Sequence, residues 1–105
     1  MKIDANRVPK AAQNTADIEG YYYTANNGNQ MAFWTCYADR ESKIHKHDFD
    51  EYTVCVAGQY TACFTDGREI VLNPGDELFV PAGTEQWGKS IAGTRTIHAF
   101  GGKRI

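Results

Sequence analysis

The sequence has few cysteines, and none of them are paired at a spacing typical of metal or redox sites. Only Cys36, Cys55 and Cys63 occur in 105 residues, and no CxxC pair is present. An odd number without such a pair argues against a disulfide framework and against a zinc site made of thiolates. We therefore expect buried, reduced thiols that pack as small apolar side chains, with a redox or catalytic thiol as the alternative.

The chain also lacks an excess of basic residues and lacks long apolar runs. Its formal net charge is −2, whereas nucleic-acid-binding domains usually present a basic face. No stretch approaches the roughly 20 apolar residues of a membrane-spanning helix. Residues 1–20 have no apolar centre of the kind found in signal peptides. The sequence thus predicts a cytoplasmic protein that binds neither nucleic acid nor membranes.

Helical periodicity is largely missing, and one short helical turn over 9–16 is all that the pattern indicates. Segments rich in aromatic and β-branched residues instead alternate with turns such as NPGD at 73–76. A chain of this length is expected to form one domain, and many closely spaced strands predict an all-β sandwich or barrel, best matched by a small jelly roll. The predicted strands lie at 21–24, 31–37, 43–47, 51–56, 59–65, 68–72, 77–81 and 94–100.

The stretch HKHDFDE at 45–51 concentrates histidines and carboxylates. On a strand, side chains two residues apart share a face, so His45 and His47 would point the same way. Glu51 opens the next predicted strand, and a bend over the residues between would fold it back beside the imidazoles. Two imidazoles and one carboxylate suit divalent iron, manganese, nickel or zinc. The alternative interpretation is a solvated acidic turn.

A second stretch, at 75–86, pairs with the first, and together they resemble the two motifs of the cupin superfamily. The resemblance covers roughly residues 31–100. It implies a small single-domain cupin of the cupin-2 and RmlC-like kind, spanning 1–105, with an N-terminal extension over 1–20 and a jelly-roll barrel (a double-stranded β-helix) over about 31–100. The matching positions are His45, His47, Glu51 and Gly58, followed by Gly75, Pro81 and Gly83.

By this resemblance, the two histidines and the glutamate of the first motif are metal ligands, and the cofactor is a divalent transition metal. Gln86 stands where the second motif has its histidine, Asp39 replaces a glycine and Ser90 replaces an asparagine. Gln86 either coordinates the metal through its amide oxygen or donates a hydrogen bond to a metal-bound water or substrate. A barrel without metal is the third alternative.

Other residues are candidates for lining a ligand pocket. Thr53 and Cys55 alternate with Glu51 along one predicted strand, so they should face inward beside it. On the last strand we expect the apolar pair Ile97 and Ala99 to form the buried face. His98 would then lie hydrogen-bonded at a sheet face, with a role as replacement metal ligand or as ligand-binding residue left as the alternative.

Three functions are compatible with these features. The first is a metal-dependent cupin enzyme of oxygenase, isomerase or decarboxylase type, for which no dedicated catalytic acid or base is identified. The second is a non-catalytic module that binds a small molecule, with or without metal. The third is a structural barrel that persists as an oligomer. In each case we expect a homodimer, because Tyr52, Val54 and Val56 would form an apolar sheet face.

Overall fold

The computed structural model describes residues 3–9 and 17–105 and shows an almost entirely β architecture. A single 3₁₀ turn, Asp4–Asn6, precedes the sheets in the described part of the chain. The predicted helical turn over 9–16 lies outside the described residues except for Pro9. The strands are β1 Ile18–Thr24, β2 Gln30–Cys36, β3 Arg40–Glu41, β4 Glu51–Ala57, β5 Tyr60–Phe64, β6 Glu69–Leu72, β7 Glu77–Val80, β8 Gln86–Ser90 and β9 Arg95–Phe100.

The strands form two antiparallel sheets that enclose the interior of a jelly roll. One sheet has five strands in the order β1-β2-β9-β4-β7, and the other has four in the order β3-β8-β5-β6. Strands distant in sequence are therefore neighbours in space, as in a jelly roll. This confirms the predicted fold class. Within the described residues, no helix is long and apolar enough to cross a membrane.

Glycine is needed at two specific positions, one in a turn and one in a strand. Gly58 joins β4 to β5 with a φ of +73°, a conformation that is open to glycine at little steric cost. A Cβ atom at this position would also collide with the backbone and the side chain of the buried Thr94. Gly88, on β8, has no room for a Cβ because the ring of Tyr60 occupies that space.

Most predicted strands are confirmed to within a few residues, but the region 43–47 is not a strand. Only His45 makes an isolated bridge there, opposite Gln86, and the strand lies upstream at Arg40–Glu41. Ser42 bonds to Gly88 and His45 to Gln86, so this side of the ladder holds one extra residue. Such an insertion interrupts the regular pairing as a bulge does.

The expected orientation of the last strand is wrong. Thr96, His98 and Phe100 are buried in the interior, whereas Ile97 and Ala99 are only partly buried. The interior of the barrel is polar at this level because it holds Glu51 and its partners. The apolar pair lies instead on the outer face of the five-stranded sheet.

The apolar core is divided into two small clusters that lie in different parts of the barrel. One is built around Tyr22, Ala32 and Phe100, with Trp34 and Phe49 packed against it. The other contains Ala62, Phe64 and Val80. The three cysteines are buried and free, as the sequence predicts.

Candidate functional site

A cavity of about 100 Å³ lies inside the barrel. The three histidines of the chain all line it, and Glu51 is the one carboxylate side chain among the described residues that does so. Strand pairing brings Glu51 of β4 and His98 of β9 together, because Thr53 lies opposite His98 and Glu51 opposite Phe100. His45 and His47 enter from the irregular segment before β4. The structure therefore brings the predicted ligands His45, His47 and Glu51 to the same cavity.

Glu51 is the centre of this site and is surrounded by donors. Its Oε2 lies 2.8 Å from the hydroxyl of Thr53 and 2.7 Å from Nδ1 of His98. Its Oε1 lies 3.2 Å from Nε2 of His47 and 3.2 Å from Nε2 of Gln86. Burial alone would raise the pKa of Glu51, but the hydrogen bonds from His47 and His98 outweigh it. The pKa is held well below its usual range, so the carboxylate stays ionised.

His45 lines the cavity, and its Nε2 is available as a ligand atom. Its Nδ1 lies 2.9 Å from the carbonyl oxygen of Lys43, and because a carbonyl can only accept, Nδ1 carries the proton. Burial is the main cause that lowers the pKa of His45, which keeps the ring neutral and leaves the lone pair on Nε2. A histidine fixed in this way through its other nitrogen is the usual arrangement of a metal ligand.

His98 occupies a different position from that expected of a ligand. Its Nδ1 contacts Glu51, and its Nε2 lies 2.9 Å from the hydroxyl of Thr96. With both ring nitrogens engaged, His98 has no lone pair directed freely into the cavity. The contacts instead orient Glu51 from behind, with Thr53 3.0 Å from the same Nδ1.

The two other predicted pocket residues lie at the back of the site. Thr53 is buried and contacts Glu51 and His98. Cys55 is fully buried, its thiol donates to the carbonyl of Ala57, and burial raises its pKa. Neither side chain is among those that line the cavity. Thr53 therefore acts through Glu51, and Cys55 packs the wall.

The side chains of His45, His47 and Glu51 have the donor atoms that a divalent metal requires. The 3.2 Å between Nε2 of His47 and Oε1 of Glu51 is close to the ~3 Å that separates two neighbouring donors each about 2.1 Å from one ion. The centres of the His45 and His47 rings are 5.0 Å apart. In residues 3–9 and 17–105, however, no group of three or more His, Cys, Asp or Glu side chains is arranged to hold a metal. The donor atoms of His45, His47 and Glu51 therefore fit a metal in kind. The hydrogen bonds to Glu51 hold them in an arrangement that does not surround a single ion position.

Sequence reasoning missed several residues that line the cavity. Arg40 lies on β3, a strand that the pattern did not predict, Ser42 follows that strand, and Arg104 follows the last strand. Tyr60 belongs to one of two alternating sets on β5, and only the structure shows that this set faces inward.

Comparisons with known proteins agree with this fold. The cupin domain family, Cupin_2, matches residues 32–99. Quercetin 2,3-dioxygenase of Bacillus subtilis (strain 168) is 54% identical over 41 residues, which are 38% of this chain and 12% of that protein. The chain thus spans only a small part of that curated relative.

Two solved structures share the fold over most of their length. KdgF from Halomonas sp. superimposes with a TM-score of 0.74 at 18% identity, over 84% of this chain and 81% of that one. An RmlC-like cupin from Shewanella frigidimarina NCIMB 400 gives 0.78 at 18% identity, over 98% and 90%. With both motifs, the barrel and the family match in agreement, the chain belongs to the cupin family.

Proposed function

We propose that this cupin binds a divalent transition metal (iron, manganese, nickel or zinc) through His45, His47 and Glu51, and holds a small molecule beside it. The observation that carries this proposal is the state of His45, whose Nδ1 is anchored to a backbone carbonyl while Nε2 is free. A neutral imidazole of this kind, next to a second imidazole and an ionised carboxylate, suits metals that keep open positions for a ligand.

In this proposal Gln86 positions Glu51 instead of coordinating. Its amide nitrogen donates to Oε1 of Glu51, so the amide oxygen points elsewhere. His98 and Thr53 hold the other oxygen of the same carboxylate. When bound, the metal would act as a Lewis acid on the small molecule or activate it together with dioxygen. The protein supplies a partly buried cavity that orients the molecule and limits the access of water.

A binding module without turnover is the second candidate, and one observation favours it. Four donors already surround the carboxylate of Glu51, an arrangement that is stable without any metal. The partial match to a dioxygenase supports the enzyme instead. Absence of metal would exclude the enzyme, because the enzyme as proposed requires the ion, whereas bound metal is compatible with both candidates.

The test is elemental analysis of the protein purified without added metal, and again after reconstitution with each of the four ions. We expect one equivalent of metal per chain and its loss in His47→Ala, because removing an imidazole removes a ligand. Lys46→Ala is the matched control, since Lys46 is exposed between the two histidines. Absence of metal in the wild-type protein after reconstitution would overturn the metal proposal and leave the binding module.

We also propose that the chain forms a homodimer through the outer face of the five-stranded sheet. Apolar side chains follow one another across its strands, because Tyr52 pairs with Phe79 and with Ala99, and Ala99 pairs with Met31. Tyr52 is 59% exposed in the single chain. A contiguous apolar face of this kind favours burial against a second copy.

A further inference from the structure

Arg40 is a half-buried cation that forms no ion pair with the described residues. Its Nε is shielded from solvent and has no hydrogen-bond partner in the described residues. Buried side-chain donors are nearly always satisfied, because leaving one unpaired destabilises the fold. For a charged guanidinium this cost is larger. This cost suggests that the guanidinium has a function, such as binding a ligand.

The guanidinium faces the cavity. Arg40 pairs with Ser90 across β3 and β8, and Ser90 is buried. Directly paired residues share a face of the sheet, so both side chains point inward. Tyr60 of β5 lies opposite the same Ser90, and Ser42 lines the cavity close by.

No carboxylate side chain in residues 3–9 and 17–105 pairs with this charge. Asp39 accepts from the amide of Ala92, and Glu41 accepts from the indole of Trp87. Glu51, the carboxylate side chain that lines the cavity, is paired with His47 and His98. Arg104 adds a second guanidinium to the lining. The end of the cavity lined by Arg40 therefore carries a positive charge that no described side chain neutralises.

We infer that the barrel binds a small carboxylic acid, whose carboxylate is held by Arg40 while its other end faces His45 and His47. A planar guanidinium binds a carboxylate through two parallel hydrogen bonds. Arg40 and His45 lie opposite residues four apart on β8, Ser90 and Gln86, which is roughly 13 Å along a strand. An arginine side chain and a short acid span that distance.

The cavity limits the size of this acid. Its volume of about 100 Å³ is smaller than the ~150 Å³ of an engineered cavity that holds benzene. An acid of about two to four carbon atoms therefore fits. Burial raises the pKa of Tyr60, so its hydroxyl stays protonated and is available as a further donor to the bound oxygen atoms.

This inference deepens the proposed function by naming the ligand class, but it does not depend on the metal. The test is titration calorimetry of glycolate and pyruvate, with glycolamide as the uncharged match, on metal-free and on metal-loaded protein. We expect both acids to bind, glycolamide to bind at least tenfold more weakly, and Arg40→Met to lose at least tenfold in affinity for the acids. Arg68→Met is the control, because Arg68 is exposed in the β5–β6 turn and pairs with Asp66; its affinity should equal that of the wild type.

A second measurement separates a ligand role from a structural one. Because Arg40 is unpaired, Arg40→Met should melt higher than the wild type, by about 4 °C or more. If Arg40→Met does not fold, Arg40 is structural and the inference is wrong. Arg40→Lys keeps the charge without the planar fork, and it should bind the acids more weakly.

The remaining outcomes are also decisive. Failure of both acids to bind in either metal state, or equal binding by Arg40→Met, would overturn the inference. Binding of the acids to a protein that takes up no metal would support it and overturn only the metal proposal. Metal uptake without binding of the acids would do the reverse.

Discussion

His98 and Glu51 form a buried contact across the β4–β9 pair, with Nδ1 2.7 Å from Oε2. Both side chains are largely shielded from solvent, and Thr53 bonds to both of them. His98 therefore orients the carboxylate of Glu51 and does not itself point at a ligand in the cavity. This arrangement links the stability of the barrel to its site.

Replacement of Glu51 by glutamine should destabilise the protein strongly. An amide presents one acceptor where four donors now converge, and the loss of one partner from a buried charged network costs roughly 3–5 kcal/mol in free energy of unfolding. Urea denaturation measures this difference. Glu85→Gln is the control, because Glu85 is exposed and should change stability by less than about 0.5 kcal/mol. Equal stability of the two variants would contradict the network.

Gln86 should affect metal binding indirectly. If it orients Glu51, Gln86→Ala should weaken metal affinity by about 10- to 100-fold, while His47→Ala should abolish binding. Gln86→His should bind more tightly than the wild type, because an imidazole would then stand opposite His45 in the bridge. Competition with a chromogenic chelator gives the three affinities. Abolition of binding in Gln86→Ala would show that Gln86 coordinates directly.

Alkaline pH should destabilise the fold through Tyr22. Burial raises the pKa of Tyr22 to about 12, whereas an unfolded tyrosine ionises near 10. Below pH 10 the phenol is neutral in both states. Between pH 10 and 12 only the unfolded state loses its proton, so stability falls as pH rises, by roughly 2 to 3 kcal/mol at the upper end.

Tyr22→Phe isolates this effect from other alkaline transitions. Its free energy of unfolding, measured by urea denaturation between pH 9 and 12, should decline less steeply than that of the wild type. Tyr22 packs against Trp34 and Phe100, and phenylalanine keeps that ring contact. Parallel declines of the two proteins would show that Tyr22 ionises normally in the fold.

The outer face of the five-stranded sheet should hold two copies together. Tyr52→Lys places a charge in the centre of the apolar band, where the ring of Tyr52 lies 4.7 Å from that of Phe79. We expect the wild type to run as a dimer and this variant as a monomer in light scattering after gel filtration. Val71→Lys, at an exposed apolar position of the other sheet, should remain dimeric. A monomeric wild type would refute the interface.

The sequence predicts the barrel well because alternating apolar residues and glycine turns are local signals. It fails at β8, where Gly88 and Lys89 have low strand propensity and tertiary contacts decide the outcome. It fails also at 43–47, because one inserted residue interrupts pairing without leaving a pattern. Both regions border the site, where the arrangement of functional side chains outweighs the local secondary-structure propensity.

Within the site, motif spacing indicates His45, His47 and Glu51, and the structure brings them to one cavity. The sequence does not reveal the buried face of β9, because polarity normally marks the solvent side of a strand. His98 and Thr96 are inward and polar since they serve Glu51. Arg40 carries no local signal at all, and only the missing partner of its Nε distinguishes it.

Gly88 has a consequence for selectivity. Because Gly88 has no side chain, the ring of Tyr60 can occupy the space beside it in the barrel. The position of this ring in turn limits the size of the ligand. Evolution towards larger ligands would then begin at Tyr60, where a smaller residue opens volume. A side chain at Gly88 would instead displace the ring of Tyr60 and disturb the packing of the cavity wall. A change of specificity is therefore easier to reach by substitution at Tyr60 than at Gly88.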